Sequence, residues 1–404
     1  MKISYDIRGK YPEEINEEFI INVINNLPVK KVVIGYDSRE SSKKIAESIK
    51  DNLEKINKTI LWLGNSTTPF TSFAGFIEKT ISIMITASHL SNDYNGLKIS
   101  ENGFAWEKEK YLELLEKIKL NNETNKGVNS LNKTNEIIDI REKIIKKYKE
   151  WLKFKNEFFE SKAKIELRNN EENPGVKLLK EIGINVINNE NANFEFDSDC
   201  DRLYCYLNGK KLHSDLVGIV LAKHLTKKGD NIVFNVGTSI LVYEELNDRD
   251  LEMVKTGRNN MIKAMNGAKF GFEYSGHFYF YDKELDYYLD DGLKALSEIL
   301  KIDSFFNEYN ELEKKTNISE EIRVKGTLKD FEALIRKIKE RAQNLIDIDG
   351  FRFEFFENNK LVGFFLIRQS NTEEKVSIRF EHKNKEKFEK LKKEINEFLK
   401  TNKN

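Results

Sequence analysis

The run Ile83-Met84-Ile85-Thr86-Ala87-Ser88-His89 delivers one serine from the end of an apolar strand into a loop, and Asp93-Tyr94-Asn95-Gly96-Leu97-Lys98 follows at once. A serine that carries a phosphoryl group needs such a setting: a stiff strand behind it, small neighbours that let a substrate approach, and cationic or proton-shuttling side chains nearby. A second constellation is Asp197-Ser198-Asp199-Cys200-Asp201-Arg202, entered through Phe194-Glu195-Phe196. Three carboxylates at alternate positions of an extended loop turn their oxygens toward one point. Oxygen-only ligands suit a hard cation, and Mg²⁺ commonly shares such a site with a substrate phosphate. Without a cation, three like charges so close together repel one another.

Other chemistries begin with the same acidic pattern. A calcium EF-hand loop needs Gly at its sixth position and Glu at its twelfth; Arg202 and Asn208 stand there, which excludes it. A haloacid-type phosphatase also places Asp-x-Asp after an apolar strand, but it would want Thr or Val at the position of Asp201; it stays as a minor rival.

The elements that must position these residues alternate apolar strands with one-faced helices. Lys31 to Gly35 and Ser82 to Ile85 read as buried strands, and Ser41 or Ser42 as the cap of a helix burying Ile45, Ile49, Leu53 and Ile56. Tyr111 to Leu120 reads as a helix closing the first segment, and the polar stretch Asn121 to Lys133 as a linker. A long helix with Ile137, Ile140 or Ile144, Tyr148 and Trp151 on one stripe is expected next. Strands at Ala163 to Leu167 and Ile184 to Ile187 follow, with Gly183 ending the helix between them. Asp215 is expected to cap a helix with Leu216, Ile219, Val220 and Leu225 inward, before a strand at Ile232 to Phe234. Beyond about Ile318 the rhythm changes. A helix with Phe331, Leu334, Ile335 and Ile338 precedes strands at Arg352 to Phe356, Val362 to Ile367 and Val376 to Glu381, and a last helix carries Phe388, Leu391, Ile395 and Phe398. That is a helix-flanked antiparallel sheet.

The chain has 404 residues, 39% hydrophobic and 33% charged, with 67 basic and 67 acidic side chains. Zero net charge gives no basic excess, so a nucleic-acid partner is not expected. No apolar run approaches the ~20 residues that span a bilayer, and no membrane association is expected. Cys200 and Cys205, five residues apart and unaccompanied, form neither a disulfide framework nor a zinc ligand set, and a reducing cytoplasm is the expected location.

The serine loop closely resembles the phosphoserine loop of the α-D-phosphohexomutases, and Asp197 to Arg202 matches that family's metal loop at every charged position. Four further stretches are similar in the same order. Tyr5-Asp6-Ile7-Arg8-Gly9 resembles the N-terminal signature of the phosphomannomutase/phosphoglucomutase branch. Lys255-Thr256-Gly257 resembles a third-domain loop that helps choose substrate orientation, Gly271 to His277 the sugar-recognition loop, and Arg368-Gln369-Ser370-Asn371-Thr372-Glu373 the phosphate-binding loop. Gly35 to Arg39 and Thr67-Thr68-Pro69 also fall where the family has related motifs. The resemblance implies three related α/β domains, the second shortened, and a C-terminal α+β domain, arranged around a central cleft: 1–121 with the phosphoserine loop, 134–210 with the metal loop, 211–318 for sugar recognition and 319–404 for phosphate binding.

It further implies reversible exchange of hexose 1-phosphate and hexose 6-phosphate through phosphorylated Ser88 and a hexose 1,6-bisphosphate. Asp197, Asp199, Asp201 and an oxygen on Ser88 would bind Mg²⁺. Lys98, His277 and Arg8 would assist proton transfer, His89 would contact the phosphoryl group, and Arg202 would face the substrate, as would Tyr5 and Lys255. Glu273 and Ser275, two residues apart, would bond adjacent sugar hydroxyls. Arg368, with a planar fork of donors, and the short donors Ser370, Asn371 and Thr372 would surround a phosphate dianion. The partner is a small phosphosugar; oligomeric state is open. The chain departs from the family pattern at Leu90-Ser91, where Asn-Pro is usual, at Gly237, where many members carry a cation, and at Arg258, Tyr274 and Glu374. The same chemistry on glucosamine phosphate, and a sugar-phosphate-binding protein without turnover, stay open as alternatives.

Overall fold

Val32, Val33 and Ile34 are buried on both faces of one strand, as are Ile81, Ile83, Met84 and Ile85 on another, which is the pattern of parallel strands covered by helices on either side. The computed structural model describes residues 1–3, 6–88, 90–123, 136–159, 163–370 and 374–401. Two units divide the chain: Met1–Lys211 with His277–Lys301, and Leu212–Gly276 with Ile302–Asn404.

In the first unit, strands run in the order Lys2–Ile3, Ile7–Lys10, Tyr94–Glu101, Ile81–Ile85, Lys31–Tyr36, Thr59–Asn65 and Ile137–Asp139. The last four pair in parallel, and Tyr94–Glu101 runs antiparallel to both its neighbours. Helices Glu17–Asn26, Glu40–Asp51 and Lys108–Glu123 bury Ile20, Ile24, Ile45, Ile49, Tyr111 and Leu114 in one core against these strands. Helix Thr68–Ile77 sends Phe70 and Phe73 into a separate aromatic cluster with Tyr148, Trp151 and Tyr287.

Three expectations fail here. Helix Glu40–Asp51 ends before Leu53 and Ile56, the last two positions of its expected apolar face, and Leu53 opens a separate short turn. Neither Ser41 nor Ser42 caps its helix. The N-cap is Arg39, without a side-chain cap bond, and both serine hydroxyls accept from Asn95 Nδ2 at 2.8 and 3.0 Å. Ile137 lies on no helix stripe: Ile137–Asp139 is a strand beside Thr59–Asn65. The helix starts at Arg141 and buries Ile144, Tyr148 and Trp151. The shortened segment contributes the parallel pair Ile165–Leu167 and Val186–Asn188, and an antiparallel ribbon of Phe194–Phe196, Leu203–Leu207 and Lys210–Lys211.

In the second unit, Asn231–Asn235 pairs in parallel with Asp250–Val254 and Phe270–Phe272. Asp215 does not cap helix Ser214–Leu225; the cap position is His213. Both Asp215 oxygens instead accept from Arg379 at 3.0 Å, because a buried carboxylate gains more from a charged bidentate partner than from one backbone amide. The C-terminal sheet is antiparallel, in the order Asn317–Ile318, Lys375–His382, Lys360–Gln369, Phe351–Glu357 and Asn344–Ile346. Helices Glu332–Lys339 and Lys385–Thr401 close a core of Leu334, Ile338, Phe365, Ile378, Leu391 and Ile395. No helix among the described residues is long and apolar enough to cross a membrane.

Candidate active site

Strand Ile81–Ile85 ends two residues before Ala87, and Ser88 then adopts φ +52°, a left-handed conformation uncommon outside glycine. The loop is over-determined. Ser88 N donates to Thr86 Oγ1 at 2.9 Å, and Thr86 Oγ1 donates to Asp37 Oδ2 at 2.6 Å. Asp37 accepts Arg39 N at 3.1 Å and Nε at 3.2 Å. The Arg39 fork in turn donates to the carbonyls of Ser88, Leu90 (2.6 Å) and Ser91 (2.9 Å). Burial pushes the Asp37 carboxyl pKa up, against the pull of Ser42, Thr86 and Arg39. Arg39 is thus a clamp on the serine loop. Sequence reasoning placed Gly35 to Arg39 in the family pattern without giving Arg39 this task.

The acidic triplet lies against the same loop. Ser198, between Asp197 and Asp199, donates to the Ser88 carbonyl at 2.5 Å. Lys98 Nζ donates to Asp199 Oδ2 at 2.5 Å and Asp201 Oδ2 at 2.7 Å. Thr68, in the Thr67-Thr68-Pro69 motif, gives its hydroxyl to Asp199 Oδ2 and its amide to the Asp199 carbonyl at 2.9 Å. Asp197 Oδ1 accepts Arg202 N at 3.2 Å. One carboxylate oxygen from each aspartate lies within 4.8 Å of the others, while Asp197 Oδ2 and Asp199 Oδ1 are buried with no hydrogen-bond partner. Burial, then Asp201 and Asp199, push the Asp197 carboxyl well above the usual range. Burial pulls the Lys98 ammonium down, but the two aspartates outweigh it and its pKa is raised. Orphaned oxygens and excess negative charge are what a cation relieves, so this buried acidic group fits a hard divalent ion.

His277 belongs to the same unit. Arg202 Nε donates to His277 Nε2 at 2.8 Å, and His277 Nδ1 lies 3.1 Å from Asp290 Oδ2, which assigns the ring proton to Nδ1. Asp290 went unnoticed in the sequence; the run Asp290-Asp291-Gly292 was its only local signal. Gly292 permits the approach, since a Cβ there would lie 2.7 Å from the Arg202 carbonyl and 2.9 Å from that of Cys200. Arg8, paired opposite Gly96, donates to Asp6 at 2.7 Å. Gly96 is equally constrained, its Cβ position falling 2.2 Å from the Ile7 carbonyl.

The second unit holds the remaining expected residues among those described. Glu273, 1% exposed, accepts Asn235 Nδ2 at 3.0 Å and Gly257 N at 3.2 Å. Asp349 accepts Thr256 N at 3.0 Å and Arg368 Nε at 2.9 Å, so the Lys255-Thr256-Gly257 loop joins Glu273 on one side and Arg368 on the other. Asp349 had no sequence signal. Lys255 is exposed, and Ser275 and Ser370 are half-buried. Tyr5, His89, Asn371 and Thr372 lie outside the described residues.

Comparison with known proteins converges on one class. Models of the phosphoglucomutase/phosphomannomutase family match residues 3–125 (alpha/beta/alpha domain I), 213–322 (alpha/beta/alpha domain III) and 317–398 (C-terminal domain). The stretch between the first two matches carries the acidic triplet. A solved phosphoglucomutase/phosphomannomutase family protein from Burkholderia thailandensis shares the fold, with a TM-score of 0.76 at 20% identity over 99% of this chain and 97% of that one. Among curated relatives, a phosphomannomutase of Methanocaldococcus jannaschii is 27% identical over 96% of both chains. A phosphoglucosamine mutase of Methanococcus maripaludis is 27% identical over 90% of both, and a phosphomannomutase/phosphoglucomutase of Pseudomonas aeruginosa 26% identical over 96% of this chain and 93% of that one. The chain belongs to the phosphoglucomutase/phosphomannomutase family, enzymes of the isomerase class that move a phosphoryl group within a sugar phosphate.

Proposed function

We propose that the protein interconverts hexose 1-phosphate and hexose 6-phosphate, of mannose or glucose, in the cytoplasm, with Ser88 as the phosphoryl carrier. The observation that carries this reading is the bond from Ser198 to the Ser88 carbonyl, which fastens a cation-fitting acidic triplet to the loop of the serine. The functional segments are 1–121, 134–210, 211–318 and 319–404.

In the forward half-reaction the free hydroxyl of the sugar attacks phosphorus on phosphorylated Ser88. The P–Oγ bond breaks, the serine oxygen keeps the bonding pair, and the sugar leaves as a 1,6-bisphosphate. The hydroxyl proton passes to His277, whose ring Asp290 orients, or to Lys98 once Lys98 has given its own proton to the departing serine oxygen, with Arg8 assisting. The second half-reaction returns the other phosphate to Ser88. Mg²⁺ held by Asp197, Asp199 and Asp201 would offset charge on the transferring group and draw the carboxylates' field away from Lys98. Glu273 and Ser275 bind sugar hydroxyls. Arg368, with Lys255, Ser370, Asn371 and Thr372, holds the phosphate that is not reacting, and Arg202, Tyr5 and His89 complete the contacts. Clustered donors suit a ligand that must be held in two orientations.

A coupled assay with mannose 1-phosphate and glucose 1-phosphate, primed with a 1,6-bisphosphate and Mg²⁺, tests the reading. Peptide mapping should find an acid-stable phosphate on Ser88 and none on Asp197. No turnover of any hexose phosphate after priming would favour a binding protein. Glucosamine phosphate is the second substrate to assay, because relatives named as phosphoglucosamine mutases align at the same identity as the phosphomannomutase.

A further inference from the structure

Two departures from the family pattern, Gly237 and Tyr274, meet in the structure. A Cβ built on Gly237 would lie 2.2 Å from Tyr274 Cε1 and 2.4 Å from Cδ1. No side chain at 237 coexists with the ring in its present seat, since real Cβ atoms do not come so close to carbon. Two further groups close the seat. The Arg379 guanidinium lies over the ring, 4.7 Å from its centroid, and donates to the Gly237 carbonyl. Asp215 holds Arg379 through two bonds of 3.0 Å. The Tyr274 hydroxyl donates to Glu321 at 3.0 Å, and Glu321 is itself fixed by Ser377 and by Arg323 at 2.8 Å. An aromatic ring under a buried guanidinium, with its hydroxyl anchored, is held in orientation as well as position.

Tyr274 stands between Glu273 and Ser275. Its ring therefore fixes the backbone that carries the carboxylate and the hydroxyl on either side. Resting on the mutase reading, we propose that Gly237 and Tyr274 form one specificity element: the ring occupies the space a side chain at 237 would fill, and from there it positions Glu273 and Ser275 for the sugar hydroxyls. Position 237 adds no charge to the substrate, and the cations this unit offers the idle phosphate are Arg368 and Lys255. Tyr274 is a positioning residue, acting through its neighbours.

The test is a double-mutant cycle with Gly237→Ala and Tyr274→Ala, with Tyr274→Phe as the conservative variant. Two readouts are taken on the full chain: KM and kcat for glucose 1-phosphate and mannose 1-phosphate, and amide hydrogen exchange over residues 270–276. Gly237→Ala is expected to raise KM about tenfold with kcat changed less than about threefold, and to speed exchange in that segment. In the Tyr274→Ala background the same alanine is expected to add less than about twofold, because the ring it would displace is gone. Tyr274→Phe keeps the seat but loses the Glu321 bond and should fall between wild type and Tyr274→Ala. Equal effects of Gly237→Ala in both backgrounds would overturn the coupling. Faster exchange with unchanged KM would overturn the specificity role. Exchange needs no turnover, so coupling in exchange without activity on any hexose phosphate counts against the mutase reading alone.

Discussion

Asp215 and Asp197 are both buried carboxylates, and the chain treats them in opposite ways. Around Asp215, burial alone would raise the pKa, but the Arg379 guanidinium outweighs it and holds the carboxyl below its usual range. Its charge is balanced within the protein. Around Asp197, the dominant neighbours are two more aspartates, and burial together with those charges pushes the carboxyl up. Lys98 serves Asp199 and Asp201, and oxygens of Asp197 and Asp199 are left without hydrogen-bond partners. A charge neutralised by arginine belongs to architecture. A charge left over and turned to one point fits a cation that arrives from outside.

The largest expected effect lies at the residue the second arrangement serves. Ser88→Ala should keep the fold and sugar-phosphate binding while mutase turnover falls by at least about 1,000-fold, read in the coupled assay; full activity would remove the carrier assignment. Next in size, Asp215→Asn should destabilise the protein by about 3–5 kcal/mol in urea unfolding, since it strands the buried Arg379 charge. Asp197→Asn should act with the opposite sign in metal-free protein, a gain of about 1 kcal/mol from relieved repulsion, since asparagine keeps the Arg202 amide bond. If both changes destabilise alike, the distinction between the two carboxylates is wrong. Mg²⁺ at about 100 times its dissociation constant should add roughly 2.7 kcal/mol to wild type and far less to Asp197→Asn or Asp199→Asn, measured as a shift in Tm.

The smallest effect is in pH. The folded pKa of Asp215 is depressed below 3.8. Its stabilising contribution is therefore complete above 3.8 and is lost as pH falls through the folded value, where protonation cancels the attraction to Arg379. The stability gap between wild type and Asp215→Asn should close only below about pH 4. Asp197 runs the other way: its raised pKa makes metal-free protein lose stability as pH rises above 3.8.

Much of this site was legible because its chemistry is local. Ser88, the proposed carrier, lies three residues past its strand, and three aspartates at alternate positions need no tertiary knowledge to converge. What escaped was carried by contacts distant in sequence. Arg39 acts on carbonyls about fifty residues away, as its bonds to the serine loop show. Thr68 meets Asp199 across 131 residues, and Asp349 reaches back 93 residues to Thr256 and forward 19 to Arg368. The two failed caps have the same cause. Ser41, Ser42 and Asp215 have the right type and place for helix starts, but Asn95 and Arg379 take their oxygens. Ile137 was misread because a three-residue strand before a helix blends into the helix's own spacing.

That short strand has a practical consequence. Ile137, Ile138 and Asp139 supply the outermost ladder beside Thr59–Asn65, although they come after the polar stretch that looked like a boundary. A fragment cut at residue 121 would strip this cover and leave a row of open amides and carbonyls along Thr59–Asn65, a template for strand-to-strand association between copies. Fragment work on the N-terminal part should therefore run past Asp139, and a nick within residues 124–135 should leave the two pieces stitched together by their shared ladder.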